Sequence, residues 1–463
     1  MVHAQLKPVS LPDFGMPDKM PELDGAIFLG RFDRLLRRVT EAGHDALVLY
    51  ADREHAANLS WLTGFDPRFE EALLIVVPGK TPVLFTGPEN QGTAGASPLG
   101  PDVRLYPPMG LLGQDRSKTP PLAEMLAGAG IASGMRLAVA GWKYFGPSEA
   151  EEPGSWLEIP SYLADALRGL VGPAGSVTNA GPMLMDPESG LRSQLELEEL
   201  ARMEFAACHT SEALKRVVRG ARPGMREFEA ASLLQPIGLP LSCHPMFSTG
   251  KRAWFGLLSP TSKVIERGEA VTAAYGVQGA LNCRAGWLAQ SADDLPAAAR
   301  DYVDRLVAPY FEAVAGWLEQ IRIGARGGDI YASIMDRLGE PFFGVGLNPG
   351  HLIHLDEWMH SPIAPGSRAR LRSGMALQVD VIPATGGPCF TTNMEDGVAL
   401  LDERARSEFA ERWPQAWSRI SARRAFMDDK LGIHLHEDVL PLSNTASWLP
   451  PFWLSSGMAM TLK

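Results

Sequence analysis

The chain has 463 residues, a formal net charge of −11 and 45% hydrophobic residues. That length exceeds what one ordinary core covers, so it predicts two domains and excludes a small stapled scaffold. The acidic balance gives no electrostatic reason to expect nucleic acid or an anionic membrane as partner, which leaves a small molecule or short peptide.

The N-terminal arm, residues 1–25, is rich in proline. It carries Asp13, Asp18 and Glu22 where an export signal would need a continuous apolar stretch. No segment approaches the ~18 apolar residues of a membrane span, and the expected location is the cytoplasm. Cys208, Cys243, Cys283 and Cys389 lie far apart, without the close pairing of zinc or redox motifs, and read as reduced thiols.

From residue 26 to 184 the pattern predicts an α/β layer domain: helices at 27–41 and 160–170, strands at 46–50, 72–77, 82–85 and 136–140. A linker rich in proline and glycine, 179–190, places the boundary at residue 184, giving domains 1–184 and 185–463. The second domain opens on a long helix, 193–219, with Leu200, Met203, Ala207, Leu214 and Val217 on one face. A shorter helix follows Pro223-Gly224, then strands at 246–249 and 271–275. The order recurs about a hundred residues later: a helix at 297–323, a break at Gly327-Gly328, a short helix at 329–338, then strands beyond Gly344. Two helix-helix-strand units predict an α+β domain with an internal pseudo-twofold.

Several stretches carry a resemblance. Asn58-Leu59-Ser60-Trp61-Leu62-Thr63-Gly64-Phe65 lies in the first domain. The second holds Cys243-His244-Pro245 with Ser248-Thr249-Gly250, Gly350-His351, Ser373-Gly374-Met375 with Asp380 and Pro383, and Asn393-Met394-Glu395-Asp396. In this order they resemble the creatinase, prolidase and methionine aminopeptidase family, with its creatinase/prolidase N-terminal domain and pita-bread C-terminal domain. The resemblance implies a homodimer and a dinuclear metal site of two aspartates, one histidine and two glutamates. The histidine falls on His351, and the glutamates fall on Asp380 and Glu395. The aspartates fall on Ala274 and on Ala285 or Leu281. No Asp or Glu occurs between Glu269 and Asp293, so the hairpin offers no carboxylate on either alignment.

Asp380, Glu395 and a neutral histidine are too few donors for two divalent ions, so a dinuclear centre is not expected. The leading expectation is a creatinase-like hydrolase of a C–N bond that works without metal. His244 would be the acid/base, and His351, Asp380 and Glu395 its electrostatic partners. One alternative is an Xaa-Pro aminopeptidase or prolidase-like enzyme holding a single divalent ion on His351, Asp380 and Glu395. Another is a peptide-binding protein without catalysis. Arg68, Tyr275, Asn282, His354 and His360 are the candidate substrate contacts. Cys283, with no base beside it, reads as simply buried.

Overall fold

The computed structural model describes residues 3–463, which fall into two compact units, Leu23–Ser193 and Gln194–Lys463, the latter joined by the N-terminal arm up to Glu22. The arm therefore belongs with the C-terminal unit and not, as expected, with the first domain: Gln5–Pro8 pairs antiparallel with Met458–Thr461. The boundary falls at Ser193 and not at residue 184. Arg192 explains this, since its Nη1 donates to Asn58 Oδ1 at 2.6 Å and ties the linker to the first unit.

In the unit Leu23–Ser193, the helix Gly25–Glu41 starts where the Asp24 carboxylate accepts from Ala26 N at 2.7 Å. Among the described residues a mixed sheet runs in the order Asp102–Leu105, Val83–Thr86, Ala72–Val76, Ala46–Ala51, Arg136–Ala140, Ser176–Asn179. The strands Ala46–Ala51 and Ala72–Val76 are buried throughout, as their unbroken apolar composition requires. The motif at Asn58 is a helix, Ala57–Thr63, closed by left-handed Gly64.

The C-terminal unit repeats one plan. Leu197–Gly220 and Glu227–Ser232 precede an antiparallel sheet ordered Asn393–Glu395, Ala280–Trp287, Ala270–Val277, Met246–Thr249. A π-helical turn, Val303–Val307, leads into Ala308–Gln320. Gly327–Leu338 follows, and then an antiparallel sheet ordered His351–Leu352, Ala376–Gln378, Gly397–Leu400, Val439–Pro441. The expected breaker Gly327-Gly328 instead begins its helix. A Cβ on Gly327 would lie 1.9 Å from the Pro362 carbonyl oxygen, so glycine is there for close approach of two backbones. The chain passes from one sheet to the other at Asp396, which brings Glu395 and the His351 sheet together. No helix among the described residues is long and apolar enough to cross a membrane.

Candidate active site

The hairpin of Ala270–Val277 and Ala280–Trp287 sorts its side chains by parity, because successive residues on a strand face opposite sides. Thr272, Ala274, Leu281, Cys283 and Ala285 line a cavity of about 600 Å³. Tyr275 and Asn282 are not among its lining. Asn282 is fully buried and donates to Asp396 Oδ1 at 2.7 Å, while Arg284 Nη2 donates to Asp396 Oδ2 at 2.7 Å. Removing one member of this buried ion pair would cost about 3–5 kcal/mol. Tyr275 and Asn282 are thus corrected from substrate contacts to packing and framework residues.

Three short strands deliver the chemistry: Asn393–Glu395 pairs with the hairpin in its own sheet, with Glu395 opposite Cys283, while His351–Leu352 and Ala376–Gln378 belong to the other sheet. His351 opens its strand directly after Gly350, which has a φ of +110°. A Cβ at Gly350 would stand 2.9 Å from the Trp317 ring, so both the backbone and the space require glycine there. Asp380 follows Ala376–Gln378, and Glu395 closes Asn393–Glu395. One donor atom from each of His351, Asp380 and Glu395 lies within 4.8 Å of the others, and all three residues are buried. Gln378 holds Glu395 in place: its Nε2 donates to Leu281 O at 2.6 Å and reaches Glu395 Oε1 at 3.3 Å.

His351 Nδ1 contacts the Leu352 carbonyl at 3.2 Å, and a carbonyl only accepts, so Nδ1 carries the hydrogen. Nε2 then points at acid groups: Glu357 Oε1 at 3.3 Å and Asp380 Oδ2 at 3.8 Å, without hydrogen-bond alignment to either. Burial pulls the imidazole pKa down, but contact with Glu357 and the charges of Glu357 and Asp380 outweigh it, so the net shift is upward. Burial pushes Asp380 up to about 6, with Glu357 adding to the rise and His351 opposing it. Glu395 is raised well above the usual carboxylate range, first by burial and then by Asp380 and Glu357. This cluster of acids is costly without a cation among them.

The other candidates lie elsewhere. His244 precedes the strand Met246–Thr249, is exposed, and its Nε2 meets the Leu257 carbonyl at 2.8 Å; Cys243 and Met246 line the cavity in its stead. His354, a candidate substrate contact, is buried with Nε2 2.8 Å from Glu199 Oε1 and does not line the cavity, so the structure makes it a framework residue. His360 bridges through its backbone carbonyl to Leu352 N at 2.7 Å and does not line the cavity. Arg68 is exposed in the first unit, 3.9 Å from Asp66.

Sequence reasoning missed Glu357, which lines the cavity, and Trp358, whose ring stacks on His351 at 4.1 Å and 20°. The loop carries no periodicity to reveal either. It also missed the wall formed by Trp254, Leu257, Leu347 and Phe390.

The donor set does not fit two divalent ions, since the hairpin face is alanine, leucine, cysteine and threonine. It fits one. Three donors of suitable type converge, and the buried Asp380 Oδ1 has no hydrogen-bond partner among the described residues.

Residues 201–439 match the model of metallopeptidase family M24, and residues 31–143 match the creatinase/prolidase N-terminal domain. The chain belongs to metallopeptidase family M24, with the two-domain pita-bread architecture. Among curated proteins none matches it. Among solved structures it is similar to a prolidase from Thermococcus sibiricus, at 16% identity and a TM-score of 0.64, covering 82% of this chain and 96% of that one. Dipeptidase PepE from Mycobacterium ulcerans is similar at 18% identity and a TM-score of 0.61, covering 82% and 95%. A Xaa-Pro dipeptidase from Bacillus anthracis gives 18% identity and a TM-score of 0.59, covering 81% and 96%.

Proposed function

We propose that the chain is a hydrolase cleaving a C–N bond in a peptide-like or small amide substrate, with one divalent ion held by His351, Asp380 and Glu395. The observation that carries this reading is the convergence of those three donors, two of which, Asp380 and Glu395, line a cavity whose hairpin face has no carboxylate. Membership of the M24 family supports the class of bond, and so do the names prolidase and Xaa-Pro dipeptidase borne by similar structures.

A bound ion would supply Lewis-acid polarisation of the scissile carbonyl. The remaining work falls to this chain's side chains. Leu352 O and the Trp358 ring fix the orientation of His351, and Gln378 fixes Glu395. Trp254, Leu257, Leu347 and Phe390 take the apolar body of the substrate and exclude water beside the bond. The metal-free creatinase-like reading has less support, because its acid/base, His244, is exposed and engaged with Leu257.

The test is hydrolysis of a panel of apolar amides and Xaa-Pro dipeptides by purified protein before and after chelation. Turnover should fall at least about a hundredfold with chelator and return on adding Mn²⁺. Full turnover in chelator would restore the metal-free reading.

A further inference from the structure

We infer that Glu357 is a fourth ligand of the ion, restoring part of the negative charge that the hairpin lacks. The inference rests on the single-ion reading of the site.

Three observations carry it. The first is the direction of the His351 lone pair. With Nδ1 turned to Leu352 O, Nε2 faces Glu357 Oε1 at 3.3 Å. Neighbouring donors that share an ion at bond lengths of about 2.1 Å stand about 3.0–3.4 Å apart, and the His351–Glu357 contact falls in that range. Glu357 stands just outside the cluster of His351, Asp380 and Glu395, and a side-chain rotation toward them completes the set. Without an ion the same contact needs a proton on Nε2, since a neutral imidazole nitrogen and a carboxylate oxygen would confront each other lone pair to lone pair.

The second is that His351 Nε2 and Asp380 Oδ1 are buried without a hydrogen-bond partner, although His351 is 0% and Asp380 5% exposed. Groups buried so deeply are normally satisfied, and a cation beside Glu357 satisfies both.

The third is the construction of the loop that presents Glu357. Leu352 N donates to His360 O at 2.7 Å and Met359 N to Leu352 O at 3.0 Å, closing the loop at its base. Inside it, His354 N donates to Asp356 O at 3.0 Å, and the His354 ring is anchored on Glu199 at 2.8 Å. Trp358 lies flat on His351. Backbone bonds, the buried contact of His354 with Glu199 and a stacked ring thus hold the Glu357 backbone at the cavity wall, its side chain 26% exposed. This is the rigidity that a ligand needs.

The test is calorimetric titration of Mn²⁺ into chelator-treated, dialysed full-length protein, alongside Glu357→Gln and Glu357→Asp. The parent should bind one equivalent. Glu357→Gln should bind about 10–100-fold more weakly, the usual cost of losing a partner at a metal site. Glu357→Asp should fall between them, and the metal-free melting temperature of each variant should stay close to the parent's. A Gln variant that binds as tightly as the parent would overturn the role of Glu357 and leave the single-ion reading standing. A parent that binds no ion would overturn both.

Discussion

Cys243 reports the charge of the cavity without any substrate. Its thiol is half-buried, and burial, followed by the charges of Glu357 and Glu395, pushes its pKa up to about 12. A raised pKa keeps the thiol protonated at pH 8, and only the thiolate reacts. Alkylation of Cys243 by iodoacetamide should therefore run at least about a hundredfold slower at pH 8 than that of an unhindered cysteine of pKa ~8.5, and it should accelerate as pH rises through ~10. Site-resolved mass spectrometry would measure this, and modification at pH 8 as fast as that of a free peptide thiol would refute it. At this scale the legibility of the sequence is uneven. His351, Asp380 and Glu395 stand out because each sits in a motif fixed to a strand end. Glu357 does not, because a short loop between two strands imposes no spacing on its residues. His354 misleads because its partner, Glu199, lies on a helix far away in sequence.

The hairpin shows what an element can hide and what parity can recover. Tyr275 and Asn282 attract attention for their chemistry, but strand alternation puts them opposite Ala274 and Cys283, and the cavity takes the latter pair. Counting residues from Ala274 gives that answer from sequence alone. What sequence does not supply is the reason Asn282 is polar, namely Asp396, which enters from a different strand. The same geometry makes a prediction. Ala274 and Ala285 both line the cavity, so Ala274→Asp combined with Ala285→Asp should return two carboxylates to the wall that lacks them. The double variant should bind a second equivalent of Mn²⁺. Without metal it should melt below the parent, since it buries unpaired acids. A folded double variant, with parental circular dichroism, that still binds one equivalent would show that the hairpin is not the missing half of a dinuclear site.

For the whole molecule, the element order of the sequence is enough to give the two-domain architecture and the internal repeat, because helix-helix-strand units are written in long, strongly patterned stretches. The arm is not legible, since its place depends on pairing Gln5–Pro8 with Met458–Thr461 at the opposite end of the chain. All of the proposed ion ligands lie in the C-terminal unit. An ion that binds the folded state alone stabilises by RT ln(1 + [L]/Kd), about 2.7 kcal/mol at a hundredfold excess over Kd, and should raise the melting of that unit. The most direct measurement is metal stoichiometry. The protein is loaded with Mn²⁺, freed of excess by gel filtration and analysed for the element beside His351→Ala. The account predicts close to one equivalent per chain, and close to none in the variant. Two equivalents in the parent, or none, would contradict it.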